Sequence, residues 1–448
     1  MRIHPPSQKS PLELALEQAR ASYGTKNPNS FKAFKDAATS LPGGGTRSSI
    51  FIHPFPLFIA RGEGVEIEDL DGHVYKDFVS DFTSGIYGKT DPVLKKAIVD
   101  ALDNGLQLGA HTTAESRLAS QLCARFPSIE LVRFANSGTE ANILAISAAL
   151  HYTRRKKVVV FTGGYHGSVL SHFGEHEGGD LKVPYDFLVC PYNDISATED
   201  RIERHKAEIG CIIVEPMIGA GGCIPGDPEF LRGLRRISTE IGAVLVFDEV
   251  QTARLGTGGR QKILNILPDM TTLGKFFGGG FAFGAFGGKK EIMSMFDARS
   301  PCAISHGGTF NNSPLTMIAG CTAIEHLLTE EKLGALNKLG DEMRDRLNEV
   351  FEKEDLPLRI TGLGSINQFH AHASLNDAKP TSKPTSNSSP SPDLMRSILD
   401  LLFFSLLDRG YWIAQRGLIS LNFAMLENDV RGFEEAVLNS AREIKRAL

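Results

Sequence analysis

Asp248 and Lys275, 27 positions apart (275 minus 248), are the two side chains of this sequence with the clearest chemical promise. Ala243 to Phe247 is a short apolar run rich in β-branched residues, bounded by Gly242 and by Asp248 and Glu249. Such a run reads as a buried strand of a parallel sheet. Both acids then sit at its carboxyl end, the edge where open α/β sheets bind ligands. Lys275 stands between Gly274 and the run Gly278 to Gly280, where the backbone can approach a bulky group closely. An amine in such a loop can form a Schiff base, and an acid at a strand tip can pair with a protonated ring nitrogen. Pyridoxal phosphate chemistry requires that pair of groups. Each residue alone has a plainer reading, a helix cap or solvated charge for Asp248 and a loop lysine for Lys275. Gly274-Lys275 is no P-loop, because Phe276 holds the Ser/Thr position.

The elements that must position these groups follow from the hydrophobic pattern. Strands are expected at Leu131 to Ala135, Lys157 to Thr162, Phe187 to Cys190, Cys211 to Val214, Val244 to Phe247, Met270 to Leu273 and Ala285 to Gly288. Helical stretches separate several of them, the mark of a mostly parallel sheet. The loops after these strands carry the remaining candidates. Asn136-Ser-Gly-Thr-Glu-Ala141 opens a helix, with Ser137 and Glu140 spaced as a capping box. The same geometry aims backbone N–H groups of the helix N-terminus at whatever lies beyond the strand, a ready anion site. Thr162-Gly-Gly-Tyr-His-Gly167 offers Tyr165, either a core tyrosine or a ring stacked on a cofactor, with His166 beside it. Glu215 ends another strand, where an ion pair and a catalytic role are both open. Ser305 to Ser313 is dense in glycine, hydroxyl and amide groups and can bind phosphate or form a surface turn.

Before this sheet, Pro11 to Tyr23 has the spacing of a short amphipathic helix, and Leu41 to Ser49 is a triple-glycine loop holding Arg47. Phe58 to Asp69 and His73 to Asp81 alternate like two strands about the turn Asp71-Gly72, and a glycine-rich loop containing Tyr87 follows. After it, helices are expected over Thr316 to Val350, Leu394 to Leu407 and Asp429 to Leu448, with strands at Ile366 to Ala373 and Leu418 to Phe423. Arg416 falls in the turn before the last strand. The chain therefore divides into an N-terminal segment (1–80), a large domain (81–335) and a small C-terminal domain (336–448). A low-complexity insertion, 376–392, has no aliphatic residue beyond alanine and proline and reads as mobile.

Composition narrows the class. A net charge of -5 argues against a nucleic-acid surface. No apolar run approaches the roughly 20 residues of a membrane helix, and no secretory-type apolar core follows Met1, so a cytoplasmic enzyme is expected. The six cysteines are scattered without a Cys-x-x-Cys pair, which points to packed thiols and to no metal site.

Taken together, these motifs resemble the class III aminotransferases of PLP fold type I. Asn136 to Ala141, Gly164-Tyr-His-Gly167, Glu215-Pro216, Phe247-Asp-Glu-Val250, Leu273-Gly-Lys275 and Gly308-Thr-Phe310 occur in the family's order. Leu41 to Ser48, Gly85-Ile-Tyr-Gly88, Gly308 to Asn312 and Arg416-Gly417 are most similar to the β-phenylalanine aminotransferases. The resemblance implies an α/β fold with a large mostly parallel-sheet domain, and a smaller α/β domain built from the C-terminus and the N-terminal segment. It implies pyridoxal 5'-phosphate on Lys275, Asp248 at the ring nitrogen, Tyr165 against the ring, Gln251 at its phenolic oxygen and the phosphate on Ser137, Gly138 and Thr139. His166 and Glu215 complete the cofactor set, and Thr309 joins it from the second subunit of a homodimer. Arg47 and Arg416 would take substrate carboxylates, with Tyr87 in the substrate pocket, because a guanidinium forks onto a carboxylate with two hydrogen bonds. The expected activity is amino transfer from a carboxylate-bearing amine, a β-amino acid, to a 2-oxo acid. Glutamate-1-semialdehyde aminomutase, an ω-amine transaminase and a non-catalytic PLP-fold binding protein are the alternatives. Lys89, Ser313 and Ala424-Met-Leu426 depart from common family patterns and leave substrate choice open.

Overall fold

Gly242 shows how this sequence times its elements. The helix Pro228–Ile241 begins with Asp227 accepting from the Glu229 N–H at 2.7 Å and Pro228 in the first turn. It ends where Gly242 adopts φ 66°, the left-handed cap that glycine takes without steric cost. The chain is then free to extend into the strand that carries Asp248. The computed structural model describes residues 9–172, 181–372 and 391–448, in two units.

The larger unit comprises Thr83–Tyr87 and Asp91–Asn337. Its sheet has seven strands: β1 (Leu131–Ala135), β2 (Lys157–Phe161), β3 (Asp186–Cys190), β4 (Ile209–Val214), β5 (Val244–Asp248), β6 (Met270–Gly274) and β7 (Gly284–Gly288). The spatial order is β1-β7-β6-β5-β4-β2-β3. Only β7 runs antiparallel to its neighbours; the other pairings are parallel. Alternate residues feed two cores. Val158, Val160, Ile213 and Val246 pack on one face with Ala141, Ala145 and Ile146 of the helix Gly138–Thr153. Val159, Phe161, Ile212, Val214, Leu245 and Phe247 pack on the other with Phe230, Leu231 and Leu234. Burial on both faces explains why these strands read as continuous apolar runs.

The second unit takes the chain up to Phe82, Gly88–Thr90 and the chain from Lys338 onward. It holds a four-stranded sheet in the order Ile59–Glu63, Glu66–Asp69, Val74–Asp77, Tyr411–Trp412 and a three-stranded one in the order Leu358–Leu363, Ile366–Ala371, Leu418–Ser420. The expected single strand from Phe58 to Asp69 is instead a hairpin, because Gly64 at φ 53° turns the chain back on itself. A helix over Pro28–Ala37 adds to the expected elements. Positions 376–390 of the low-complexity stretch lie outside the described residues. Its last two belong to a helix: the Ser391 hydroxyl accepts from the Leu394 N–H, and Pro392 begins Pro392–Asp408.

Candidate active site

Asp248 is the last residue of β5 and is 4% exposed. A buried carboxylate is costly unless hydrogen-bonded, and this one is well supplied. Its Oδ2 accepts from Asn142 Nδ2 at 2.8 Å and pairs with His166 Nδ1 at 2.8 Å, while Oδ1 accepts from the Val250 N–H at 3.0 Å. Asn142 is itself fixed, donating to the His166 carbonyl at 3.0 Å and accepting from Thr272 Oγ1 at 2.6 Å. Thr272 is the register partner of Asp248 on β6, so the sheet aligns the network.

Glu215 follows β4 and is also buried. Its two oxygens accept from the Tyr165 N–H at 2.8 Å and the Gly219 N–H at 3.1 Å. Burial pushes its carboxyl up to about 7; His166 opposes that rise, Asp248 adds to it and the two backbone donors oppose it. Burial pushes the His166 imidazole down, but the hydrogen bond and charge of Asp248, with Glu215 behind them, outweigh it and raise the ring above its ordinary value. Tyr165 presents a partly exposed ring from the loop that Glu215 holds.

Lys275 follows β6 at φ 55°, a left-handed conformation that costs a residue with a Cβ about 1–3 kcal/mol. Its Nζ donates to Thr83 Oγ1 at 2.7 Å. The Tyr87 hydroxyl donates to the carbonyl of the next residue, Phe276, at 2.6 Å, and burial pushes the Tyr87 phenol up. Tyr87 is thus a packed residue that braces the lysine loop.

Where β1 ends, Ser137 Oγ accepts from the Glu140 N–H at 3.1 Å, and Glu140 reaches back to accept from the Asn136 N–H at 2.5 Å. The cap is the expected one, one residue wider. The Ser137 loop lies so close to its neighbours that a Cβ on Gly284 would stand 2.1 Å from the Ser137 carbonyl, and one on Gly274 would stand 3.4 Å from Gly138 Cα. Glycine at position 284 is what lets β7 pass this close to the helix N-terminus. Nearby in sequence, Gln251 carries a buried Oε1 with no hydrogen-bond partner among the described residues. Such an atom costs about 1–3 kcal/mol; turning the amide would present Nε2 to an external oxygen. An acid fixed at a sheet edge, a strained lysine and an unsatisfied amide fit a ring that brings its own nitrogen, carbonyl and phenolic oxygen.

The second unit holds the two arginines. Arg47 Nη1 donates to Asp81 Oδ1 at 2.7 Å, and its guanidinium carbon lies 5.3 Å from the Phe82 ring centre. Arg416 lies 5.6 Å from the centre of the same ring. Thr309 stands exposed in the loop after His306. Sequence reasoning did not find Asn142, Thr272, Thr83, Asp81 or Phe82. An asparagine within the alanine-rich face of a helix was the one legible signal among them, since a polar side chain there must have a partner.

No helix among the described residues is long and apolar enough to cross a membrane. The chain is 44% identical to the β-phenylalanine transaminase of Variovorax paradoxus over 429 residues, covering 95% of each chain. It is 37% identical to a glutamate-1-semialdehyde 2,1-aminomutase of Methanosarcina acetivorans over 367 residues, 79% of this chain and 84% of the relative. The crystal structure of a β-phenylalanine aminotransferase from Variovorax paradoxus superposes with a TM-score of 0.88 at 42% identity, covering 95% of this chain and 96% of the other. The family model for class-III aminotransferases matches residues 51–388, and the chain belongs to that family.

Proposed function

We propose that the protein is a pyridoxal 5'-phosphate-dependent transaminase that moves an amino group from a β-amino acid to a 2-oxo acid. The observation that carries this reading is Asp248, a buried carboxylate held at a strand tip by Asn142 and His166. The cofactor supplies an electron sink for the carbon that loses its proton. Lys275, Asp248, Gln251, Tyr165, His166 and Glu215 would hold its ring, and Ser137, Gly138 and Thr139 its phosphate. Asp248 would keep a proton on the ring nitrogen, because a carboxylate fixed there favours a cation beside it. Lys275 Nζ then serves as the base that takes the proton from the amine-bearing carbon and returns it. Arg47 and Arg416 each receive a carboxylate, which suits an enzyme whose donor and acceptor both carry one.

The family supports a homodimer in which Thr309 of a second copy reaches the phosphate, and the free cysteines fit a reducing, cytoplasmic setting. Likeness to the aminomutase gives a second reading, rearrangement of glutamate-1-semialdehyde; product formed without an added 2-oxo acid would favour it. Purified protein should take up the cofactor and show its bound absorbance, bleached by β-phenylalanine and restored by a 2-oxo acid. Lys275→Ala should lose that absorbance and nearly all turnover. A variant that kept both would refute the assignment.

A further inference from the structure

Arg47 carries more preparation than a receptor for a carboxylate strictly needs. Among the described residues its only hydrogen bond is the one from Nη1 to Asp81. A guanidinium has five donors, and the pair on Nε and Nη2 forms the side edge that meets a carboxylate bidentately. Asp81 therefore engages one corner and leaves that edge open. The guanidinium carbons of both Arg47 and Arg416 lie over the ring of Phe82, the next residue, at 5.3 and 5.6 Å from its centre.

The backbone that sets these two residues side by side is unusual. Ser80, Asp81, Phe82 and Thr83 are four consecutive non-glycine residues with positive φ, from 46° to 78°. Such a run persists only where the surroundings over-determine it, and it collects at functional sites. Its first residue is anchored: Asp77 Oδ1 accepts from the Val79 and Ser80 N–H groups, and Ser80 Oγ donates to the Ser420 carbonyl at 2.8 Å. Arg47, Asp81 and Phe82 also share the wall of a cavity of about 430 Å³ otherwise lined largely by apolar side chains such as Ile52, Phe403 and Trp412.

We propose that Asp81 and Phe82 are positioning residues for carboxylate recognition. Asp81 pins Nη1 of Arg47 so that the Nε–Nη2 edge faces the ligand, and Phe82 is the common platform of both arginines. The inference rests on the transaminase reading for its substrates: Asp81 acts on Arg47, and Phe82 on both guanidinium groups.

The test uses the holoenzyme and two donors of one skeleton, β-phenylalanine and 1-phenylethylamine, which lacks the carboxylate. Asp81→Asn should raise KM for β-phenylalanine about three- to fivefold more than KM for 1-phenylethylamine, the scale of a partly exposed ion pair. The effect should fall on KM more than on kcat, and Asp81→Glu should restore most of it. Phe82→Leu should raise KM for both the carboxylate donor and the 2-oxo acid, each about two- to fivefold. Calorimetric titration with 3-phenylpropanoate, a carboxylate with no amine, should show the same weakening in Asp81→Asn without any turnover. An unchanged KM ratio and unchanged affinity would overturn the claim, and a lowered KM would mean that Asp81 competes with the substrate. Failure of wild-type protein to bind 3-phenylpropanoate would also overturn it. Absence of amino transfer from every donor would instead sink the transaminase reading, and the titration would still decide the role of Asp81.

Discussion

Glu215→Gln offers a test of the buried carboxylate cluster that does not depend on turnover. In the fold Glu215 holds its proton up to about 7, against an ordinary value near 4.5, chiefly because burial penalises the charged form. Between those two pH values the folded chain binds more protons here than the unfolded chain does, so stability falls as pH rises through about 7. At about 1.4 kcal/mol per pH unit, the difference amounts to about 3 kcal/mol lost between pH 4.5 and pH 8. His166, also raised above its ordinary value, contributes in the same direction. Glutamine cannot ionise and removes the Glu215 part of this slope. It also presents an NH2 where a carboxylate oxygen accepted from Tyr165 or Gly219, which costs about 1–3 kcal/mol at every pH. The variant should therefore be the less stable protein near pH 5, with the gap closing or reversing by pH 8. Urea unfolding of both cofactor-free proteins across that range reads the difference directly. Parallel profiles, offset by a constant, would show that Glu215 ionises in the fold as it does in water.

Two further substitutions address how the site is held. Gly284→Ala would place a methyl group 2.1 Å from the Ser137 carbonyl, a backbone atom that cannot swing aside. It should cost about 1–3 kcal/mol or more and weaken cofactor retention, measured by thermal unfolding and by dialysis of the holoenzyme. Retention and unfolding temperature equal to wild type would refute the close packing of β7 on the Ser137 loop. Tyr87→Phe removes the hydrogen bond to the Phe276 carbonyl and should cost about 1 kcal/mol in urea unfolding. A tenfold rise in KM for the donor, with stability intact, would return Tyr87 to a direct substrate role.

The large sheet was legible because its inner strands are buried on both faces, and β2, β4 and β5 so announce themselves as apolar runs ending in polar loops. Val244–Asp248 is the clearest case: Gly242 caps the preceding helix and Phe247 is fully buried, so position 248 had to be the strand's tip. The half-exposed strands near the N-terminus carried less signal, and the hairpin at Gly64 was read as one strand because alternation continues across it. Residue types also sufficed to nominate Asp248, Lys275, Ser137 and Glu215, since each lies within a few residues of a strand end.

What sequence alone could not decide is how those groups are wired. Asn142, 106 positions before Asp248, becomes its hydrogen-bond donor only when the helix lies on the sheet beside β5 and β6. Thr83 meets Lys275 across 192 positions, and Asp81 meets Arg47 across 34. Patterns of polarity and spacing fix the period of an element and the side it buries; they carry no information about which side chain a distant element will offer. Charge state belongs to the same category. The raised carboxyl of Glu215 arises from being surrounded, and being surrounded is a property of the packed chain.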